Sequence, residues 1–299
     1  MKKKAIIISI KGYKLTNNEK KLLKYENPWG LILFKRNIKS FIQIKKLIKN
    51  IRKLSKNSKF PIMIDEEGKT VSRLSNIINH KLSQKLFGDM YKRAPEISLR
   101  VYQNYINNLC FLFKKIGINI NTVPVLDVLR KKTHKIIGNR SFSKDPLIVK
   151  KLGQTCVKTY KSNKIATVIK HIPGHGCASS DSHLETPKIK NSYKNLDKID
   201  FLPFKSNPSL FAMTAHVLYL SIDKENVATF SKKIIKEIIR KKMNFKGILI
   251  SDDISMKALR YSIKQNTIRS FDAGCNIALH CNGKLSEMLE VAKNSPKLN

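Results

Sequence analysis

Residues 165–187 read IATVIKHIPGHGCASSDSHLETP, a short apolar run followed by a long polar segment. The run 165–169 is rich in β-branched residues and predicts a buried strand. Pro173, Gly174 and Gly176 exclude a regular helix directly after it. A polar, non-helical loop at the end of a buried strand is a common position for catalytic groups on a rigid scaffold.

Seven further apolar segments alternate with helical patterns along the chain, at residues 5–10, 30–34, 60–64, 118–125, 210–214, 247–250 and 275–279. Nearly all of these predicted strands are followed by polar residues on the C-terminal side. Eight strands alternating with helices predict an α/β fold, a single-domain (β/α)8 TIM barrel over residues 1–299, with its site at the C-terminal face. A doubly wound open sheet is the main alternative, but no Gly-rich phosphate loop follows the first strand.

Helix boundaries are predicted from capping residues. Thr16 with Glu19 three residues later forms a capping-box pattern, and Ser40 precedes a helical spacing of apolar residues. A long helical stretch from 95 to 116 is followed by Gly117, a residue that commonly ends a helix.

Asp181 and His183 are the sharpest feature of the polar loop. In an extended segment, residues two apart point the same way, so Asp181 is placed to hold one ring nitrogen of His183 and leave the other facing a substrate. A carboxylate partner favours the imidazolium and fixes the tautomer. His183 is therefore a candidate proton donor and acceptor near neutral pH. If only Asp181-Ser182-His183 is considered, the alternative interpretation is that the Asp/His pair caps a turn and has no catalytic role.

Polar groups at the predicted strand ends form a second set of candidates. If the barrel closes, they rim one cleft: Asp65, Arg73, Arg140, Lys170, His171, His183, His216 and Asp252. For the acids at 65–67, a sugar-hydroxyl or cation site and a solvated acidic turn are both consistent with the sequence. Glycoside cleavage uses a carboxylate and a proton donor held in fixed positions on opposite sides of the scissile bond. In that chemistry Asp252 attacks the anomeric carbon and His183 protonates the leaving oxygen.

Metal binding is a competing chemistry for the same loop. His171, His175 and His183 are a possible zinc ligand set, but the Pro-Gly between the first two prevents the helical geometry of an HExxH site. No cysteine spacing supports a structural zinc site, and no GxSxG elbow supports a serine hydrolase. We therefore expect no metal.

The charge is extreme, with 59 Lys+Arg against 21 Asp+Glu and a net charge of +38. Such a balance raises nucleic-acid binding as an alternative function. The lysines are spread over the whole chain without a dense basic tail, so we expect a lysine-coated surface and no nucleic-acid partner. That coat still draws anionic substrates toward a cleft.

The cysteines and the lengths of the apolar runs indicate the cellular compartment in which the protein works. The five cysteines are odd in number and form no CxxC pair, which favours a reducing environment. The N-terminal apolar stretch is too short for a secretory signal, and no apolar run approaches a membrane span. We expect a cytoplasmic enzyme with a small-molecule substrate, no membrane partner, and a monomeric state.

At this point a resemblance becomes specific. Residues 170–187 resemble the KH-F-PGHG…DSH pattern of glycoside hydrolase family 3 and, more narrowly, of the bacterial cytosolic β-N-acetylhexosaminidases of peptidoglycan recycling, the NagZ type. Supporting segments run nearly end to end: GLILFKRN, IDEEGKTVSR, NTVPVLDV, IGNRSFSKDP, FAMTAHV, ILISDDISMKAL and AGCNIALHCNG.

The resemblance implies a retaining, two-step hydrolysis without cofactor that releases terminal β-1,4-linked N-acetylglucosamine from anhydromuramyl-peptide fragments. It makes Asp252 the nucleophile, His183 the acid/base and Asp181 its dyad partner. The implied sugar-binding residues are Asp65, Arg73, Arg140, Lys170 and His171. Phosphorolysis stays open as an alternative, because a histidine donor does not repel an incoming phosphate.

One departure from the family pattern concerns the turn after the third strand. The family usually reads D-x-EGGR where this chain has Lys69 and Thr70 at the last two positions. If the lost glycine position needs a positive φ, the placement of Asp65 and Arg73 changes. His175 and Glu185 are assigned to loop scaffolding as a hypothesis, and no chemical role is expected for Cys177.

Overall fold

The computed structural model describes residues 2–79, 81–131, 133–180 and 185–298. Its centre is a closed barrel of parallel strands, which confirms the predicted (β/α)8 TIM barrel. The barrel strands, in their order around the barrel, are β1 (Lys4–Ile8), β2 (Pro28–Leu33), β3 (Ile62–Ile64), β4 (Ile120–Asn121), β5 (Ala166–Ile172), β7 (Phe211–Thr214), β9 (Ile248–Asp253) and β10 (Ile277–His280). A separate two-stranded sheet pairs β6 (Lys188–Ile189) with β8 (Leu218–Tyr219).

Helices surround the barrel. The described residues form α1 (Asn17–Tyr25), α2 (Phe41–Leu54), α3 (Gln84–Arg93), α4 (Pro95–Ile116), α5 (Pro146–Ser162), α6 (Tyr193–Lys198), α7 (Ile263–Ala273) and α8 (Leu285–Lys293), with a π-helical segment at Ile234–Lys242. The predicted capping box at α1 is confirmed, since Thr16 Oγ1 accepts from the Glu19 N–H and the Glu19 carboxylate accepts from the Thr16 N–H. None of the helices described is both long and apolar enough to cross a membrane.

Two strands extend further than their apolar runs predict. β5 continues through Lys170 and His171 to Ile172, which pairs with Thr214 of β7. β9 likewise continues to Asp253, which pairs with Leu279 of β10. A strand in a closed barrel ends where its neighbours stop pairing, and this depends on residues distant in sequence. Charged groups expected in loops are consequently held by the barrel itself.

The strands are buried on both faces. In β1, Ile7 belongs to the apolar cluster inside the barrel, whereas Ile6 and Ile8 belong to the cluster between strands and helices. Successive strand residues point to opposite faces, so a continuous apolar run supplies both layers. The interior cluster consists of Ile7, Ile32, Met63, Ile120, Val168, Phe211, Met213, Ile250, Ile277 and Leu279. This packed plug closes the barrel beneath the site.

Candidate active site

A cavity of about 340 Å³ opens at the C-terminal ends of the barrel strands. Its volume is near the lower end of the range for ligand pockets, roughly 300–1,000 Å³, and suits one small polar molecule. Six of the eight predicted cleft residues line it: Asp65, Arg73, Arg140, Lys170, His171 and Asp252. His183 and its proposed partner Asp181 lie outside the described residues.

Lys170 is buried among oxygens. Its Nζ lies 2.6 Å from Glu67 Oε1 and 3.2 Å from Asp65 Oδ1, and it donates to Thr122 Oγ1 at 2.9 Å. A buried ammonium is tolerated only where its charge and its three donors are matched. Here two carboxylates and a hydroxyl match them, so the lysine is fixed in position at the cavity wall.

Glu67 ties two cations together. Arg140 donates to it through Nε at 2.7 Å and Nη2 at 2.9 Å, a bidentate pair, while Lys170 approaches the same carboxylate. Burial raises the pKa of Glu67, but Arg140 and then Lys170 outweigh it and lower the pKa to about 2. Sequence reasoning considered Glu67 only as one of the acids at 65–67 and gave it no individual role. The sequence does contain a signal for a role of Glu67 at the site. Glu67 follows Asp65 by two residues, and in an extended segment such residues point to the same face.

Asp65 faces the cavity beside Arg73. Arg73 Nη2 lies 3.2 Å from Asp65 Oδ2, and the Thr122 hydroxyl donates to Asp65 Oδ1. Burial raises the pKa of Asp65, but Lys170 and Arg73 outweigh it and hold the pKa well below its usual range. The guanidinium of Arg73 also packs 5.1 Å from the Phe34 ring centre. An ionised acceptor next to a fixed donor is an arrangement that binds hydroxyl groups.

The turn that carries these acids is rigid and largely buried, which excludes a solvated acidic turn. Glu66 Oε2 accepts from the backbone N–H groups of Arg73 and Leu74 at 2.7 and 2.9 Å. Gly68 has φ 137°, whereas Lys69 has no positive φ. The Lys69 departure therefore adds no left-handed strain, and the Asp65–Arg73 pair forms with it in place.

Asp127 organises the histidines. It is fully buried, its Oδ2 lies 2.7 Å from His171 Nδ1, and its Oδ1 accepts from the backbone N–H groups of His171 and His175 at 3.2 and 2.6 Å. Burial raises the pKa of Asp127, but His171 outweighs it and lowers the pKa. The carboxylate makes Nδ1 the protonated nitrogen of a neutral His171 ring, so Nε2 is then its acceptor. The sequence placed Asp127 after a strand without assigning it a role.

His175 anchors the loop through its backbone, and its ring also lines the cavity. Burial lowers the pKa of the imidazole to about 4, so it is neutral near pH 7. Its Nδ1 is buried and has no hydrogen-bond partner within the described part of the chain. The loop-scaffolding hypothesis covers the backbone contact but not this unpartnered nitrogen.

His216 does not rim the cleft, contrary to the prediction. It is fully buried behind β9, where Nε2 lies 3.0 Å from the carbonyl oxygen of Asp253 and Nδ1 lies 2.7 Å from Thr229 Oγ1. Burial lowers the pKa of His216, which favours the neutral ring. Because a carbonyl only accepts, Nε2 donates and Nδ1 accepts from Thr229. Thr229 then accepts from Thr214 at 2.8 Å, and Thr214 accepts from the Asp252 N–H at 3.3 Å. This relay fixes the backbone that carries Asp252.

The Asp252 carboxyl lies in the last part of β9 and lines the cavity. Its Oδ1 accepts from the Asp253 N–H at 2.7 Å. Burial raises the pKa of Asp252, but the attraction of its carboxylate to the His216 and His171 imidazoles, which acts when they are protonated, outweighs burial and lowers the pKa. Asp252 is thus an ionised carboxylate without a lysine or arginine bound to it among the described residues, as a nucleophile requires.

The cavity is nearly balanced in charge. Four carboxylates and three strong cations line it: Asp65, Glu67, Asp252 and Asp253 against Arg73, Arg140 and Lys170. The chain as a whole carries a net charge of +38. The interior of the site therefore differs sharply from the exterior of the protein.

The loop between β5 and β6 is held by contacts as far as Ala178, whose carbonyl oxygen accepts from the His134 N–H at 2.9 Å. A Cβ on Gly176 would lie 1.9 Å from the Val128 carbonyl oxygen, so only glycine fits there. Cys177 lies 3.4 Å from an Asp200 oxygen, and burial raises the pKa of its thiol to about 12, which makes it a poor nucleophile. Outside the gaps in the described chain, no group of three His, Cys, Asp or Glu side chains could hold a metal ion.

In this (β/α)8 barrel, the C-terminal ends of the strands hold an ionised carboxylate beside fixed hydrogen-bond donors and acceptors. This arrangement is typical of a sugar-cleaving hydrolase. The model of the glycosyl hydrolase family 3 N-terminal domain matches residues 2–297. The chain therefore belongs to glycosyl hydrolase family 3 and is a glycoside hydrolase.

Known proteins agree with this assignment. A β-hexosaminidase of Nitrosomonas eutropha is 32% identical over 282 residues, covering 93% of this chain and 80% of that protein. NagZ from Neisseria gonorrhoeae, solved in complex with N-trifluoroacetyl-D-glucosamine, is 29% identical with a TM-score of 0.91, and the match covers 100% of this chain and 87% of that one. A family 3 β-N-acetylglucosaminidase from a Paenibacillus species has a TM-score of 0.90 at 24% identity, which shows the fold alone; this chain spans 56% of it.

Proposed function

We propose that the protein is a retaining β-N-acetylhexosaminidase. It removes terminal β-1,4-linked N-acetylglucosamine from anhydromuramyl-peptide fragments of peptidoglycan, in the cytoplasm, as part of cell-wall recycling. The observation that carries the proposal is the position of Asp252 in one cavity with Asp65, Arg73, Lys170 and His171. The β-hexosaminidase name of a relative and the glucosamine derivative bound by another support the choice of sugar.

In this proposal the sugar ring is held by the charged groups of the cavity wall. Asp65 accepts hydrogen bonds from sugar hydroxyl groups, while Arg73 and Lys170 donate to sugar oxygens from fixed positions. Arg140 shapes the same wall through its bidentate pair with Glu67, and His171 offers Nε2 opposite the nitrogen bound to Asp127. Fixed polar groups orient the ring so that little ordering is left for the transition state.

The chemistry proceeds in two displacements at the anomeric carbon. An Asp252 oxygen forms a bond to that carbon as the glycosidic C–O bond breaks, and His183 gives its proton to the leaving oxygen. Water then attacks the glycosyl-aspartate, His183 takes the proton of that water, and the Asp252 carboxylate is released. Two inversions give net retention. The roles of His183 and Asp181 rest on the family resemblance of the loop.

The test is hydrolysis of a chromogenic N-acetyl-β-glucosaminide by the wild type and by Asp252→Asn. We expect turnover by the wild type and a loss of several orders of magnitude in the variant. Asp272→Asn, at an exposed position on α7, is the matched control and should retain activity. A 2-fluoro sugar should trap a covalent adduct on Asp252, which peptide mass spectrometry locates. Absence of turnover by the wild type, or an adduct on another residue, contradicts the proposal.

The same assay with inorganic phosphate decides the alternative reaction. Free N-acetylglucosamine as the product in the presence of phosphate supports hydrolysis. The sugar 1-phosphate as the main product means that the enzyme is a phosphorylase on the same site. Salt-sensitive polyanion binding without any turnover would instead indicate a non-catalytic basic binder.

A further inference from the structure

A second, larger concavity lies on the outside of the barrel between α1 and α2. It encloses about 800 Å³ and shares no lining residue with the active-site cavity. Leu15, Leu47 and Leu54 give it an apolar floor. Six lysines surround this floor: Lys14, Lys20, Lys24, Lys46, Lys53 and Lys56. We call this feature the α1–α2 groove.

The groove is more basic than the chain as a whole. Lysines make up half of its twelve lining residues, whereas Lys and Arg together are 59 of 299 in the chain. None of the described residues lining it is acidic, and none of its lysines forms an ion pair with a described carboxylate. The sequence repeats a Lys-Leu pair at 46–47 and 53–54, seven residues apart, which places the two pairs on one face of α2 about two turns from each other.

The distribution of the lysines along the groove indicates which kind of ligand would bind there. From Gln43 to Leu54 the groove follows α2 for roughly 16 Å, and the cations line its length instead of one end. A ligand with a single anionic head would pair with only a few of them. A ligand with several separated anionic groups matches the whole groove.

The floor narrows the choice further. Tyr13 is the one aromatic ring among the described lining residues, too few for the successive base stacking that a single strand makes. The leucine side chains instead accept the apolar face of a helix through anchors at i, i+3 or i+4, and i+7. Flanking Glu and Asp side chains on such a helix would meet the lysine rim. Charge complementarity and an apolar floor together define a helix-in-groove contact.

We propose that the α1–α2 groove is a docking site for an acidic amphipathic helix of a partner protein. The site is separate from the sugar cavity, so the contact is independent of the hydrolase function proposed above. Its specificity comes from the apolar anchors, and the lysines supply fast, salt-sensitive association.

The experiment measures fluorescence anisotropy of a labelled, hydrocarbon-stapled peptide with Leu at i, i+4 and i+7 and Glu at the flanking positions. A scrambled peptide of identical composition and a single-stranded RNA of equal charge are the comparison probes. The triple variant Lys24→Gln, Lys46→Gln, Lys53→Gln removes three groove cations. The variant Lys232→Gln, Lys236→Gln, Lys242→Gln removes three exposed cations near the π-helical segment and is the matched control.

At 150 mM salt we expect the amphipathic peptide to bind the wild type at least tenfold more tightly than the scrambled one. The groove variant should lose at least tenfold in affinity, the control variant less than twofold, and both should retain wild-type glycosidase activity. Equal binding of the scrambled peptide or the RNA overturns the proposal, because the groove is then only part of a general polyanion surface. An equal loss in the two triple variants overturns it for the same reason.

Discussion

Lys170 Nζ lies 2.6 Å from Glu67 Oε1, and both side chains are almost completely buried. The same glutamate holds Arg140, so one carboxylate contacts two cations in the cavity wall. Removing one member of a buried charge group leaves the others uncompensated, at a cost of about 3–5 kcal/mol. Glu67→Gln should lower the free energy of unfolding by about that amount and reduce kcat/KM at least a hundredfold.

Urea unfolding and steady-state kinetics check this prediction. Glu290→Gln, at an exposed position on α8, is the control and should change the free energy of unfolding by less than about 0.5 kcal/mol. A Glu67→Gln protein with wild-type kcat/KM would show that Arg140 and Lys170 need no carboxylate at position 67.

The Glu67 network also predicts a pH dependence of stability. The pKa of Glu67 is about 2 in the folded protein against 4.5 as its ordinary value. A depressed carboxyl pKa contributes stability that is present above the unfolded value and is lost as the pH falls through the folded one. The difference in unfolding free energy between wild type and Glu67→Gln should therefore be constant above pH 5 and shrink between pH 4.5 and 2. A difference that stays unchanged over that interval contradicts the pKa shift.

Asp127→Asn tests how His171 is held. The amide cannot stabilise a protonated Nδ1 as the carboxylate does, and the tautomer of the His171 ring is no longer fixed. We expect kcat to fall roughly 10²- to 10⁴-fold, in line with the loss of a placed acid/base or orienting group. Nitrogen-15 NMR of the imidazole should show the Nδ1–H resonance of His171 in the wild type only. An unaltered resonance in the variant would assign the tautomer to some other contact.

Thr229→Val tests the relay behind Asp252. Valine has the shape of threonine but cannot donate to His216 Nδ1, which leaves that buried nitrogen unpaired at a cost of about 1–3 kcal/mol. Because the far end of the relay accepts from the Asp252 N–H, kcat should fall about tenfold with little change in KM. Thr229→Ser keeps the hydroxyl and should restore kcat. If serine and valine reduce kcat equally, packing of the methyl group matters and the relay does not.

Gly176→Ala tests the attachment of the loop between β5 and β6, which carries the proposed acid/base. The new Cβ would lie 1.9 Å from the Val128 carbonyl oxygen, so the backbone must shift. We expect a loss of about 1–3 kcal/mol in stability and a larger proportional loss in kcat, since the shift displaces the segment that leads to His183. Gly12→Ala is the matched control, because its Cβ has no atom within 4 Å. Differential scanning calorimetry and the chromogenic assay separate the two effects.

Features that depend on neighbours in sequence could be predicted from the sequence. The capping box of Thr16 and Glu19 is local, as is the alternation of strands and helices that specifies the barrel, and both are confirmed. Helix α3 at Gln84–Arg93 was not predicted, although Ser83 caps it in the ordinary way. Its sequence follows a long irregular segment, and packing against α4 and α5 supports it.

The functions of single side chains were harder to predict, because they depend on contacts between distant parts of the chain. Glu67 meets Arg140, 73 residues later, and Asp127 meets His171, 44 residues later. His216 was expected at the cleft because it follows a strand, yet it points behind β9 to Asp253. A residue that follows a barrel strand lies at the C-terminal face of the barrel. Its position in the sequence does not determine which way its side chain points.

The cavity is nearly balanced in charge while the exterior is strongly basic, so these two regions attract different parts of a ligand. The lysine coat attracts any polyanion over distances of about one Debye length. Once inside, an anion meets four carboxylates against three cations and gains little, whereas an uncharged ring with many hydroxyls can hydrogen-bond to both kinds of group. If the substrate is the peptide-bearing fragment proposed above, this difference would orient it before it binds, with its acidic peptide at the basic exterior and its neutral sugar directed inward.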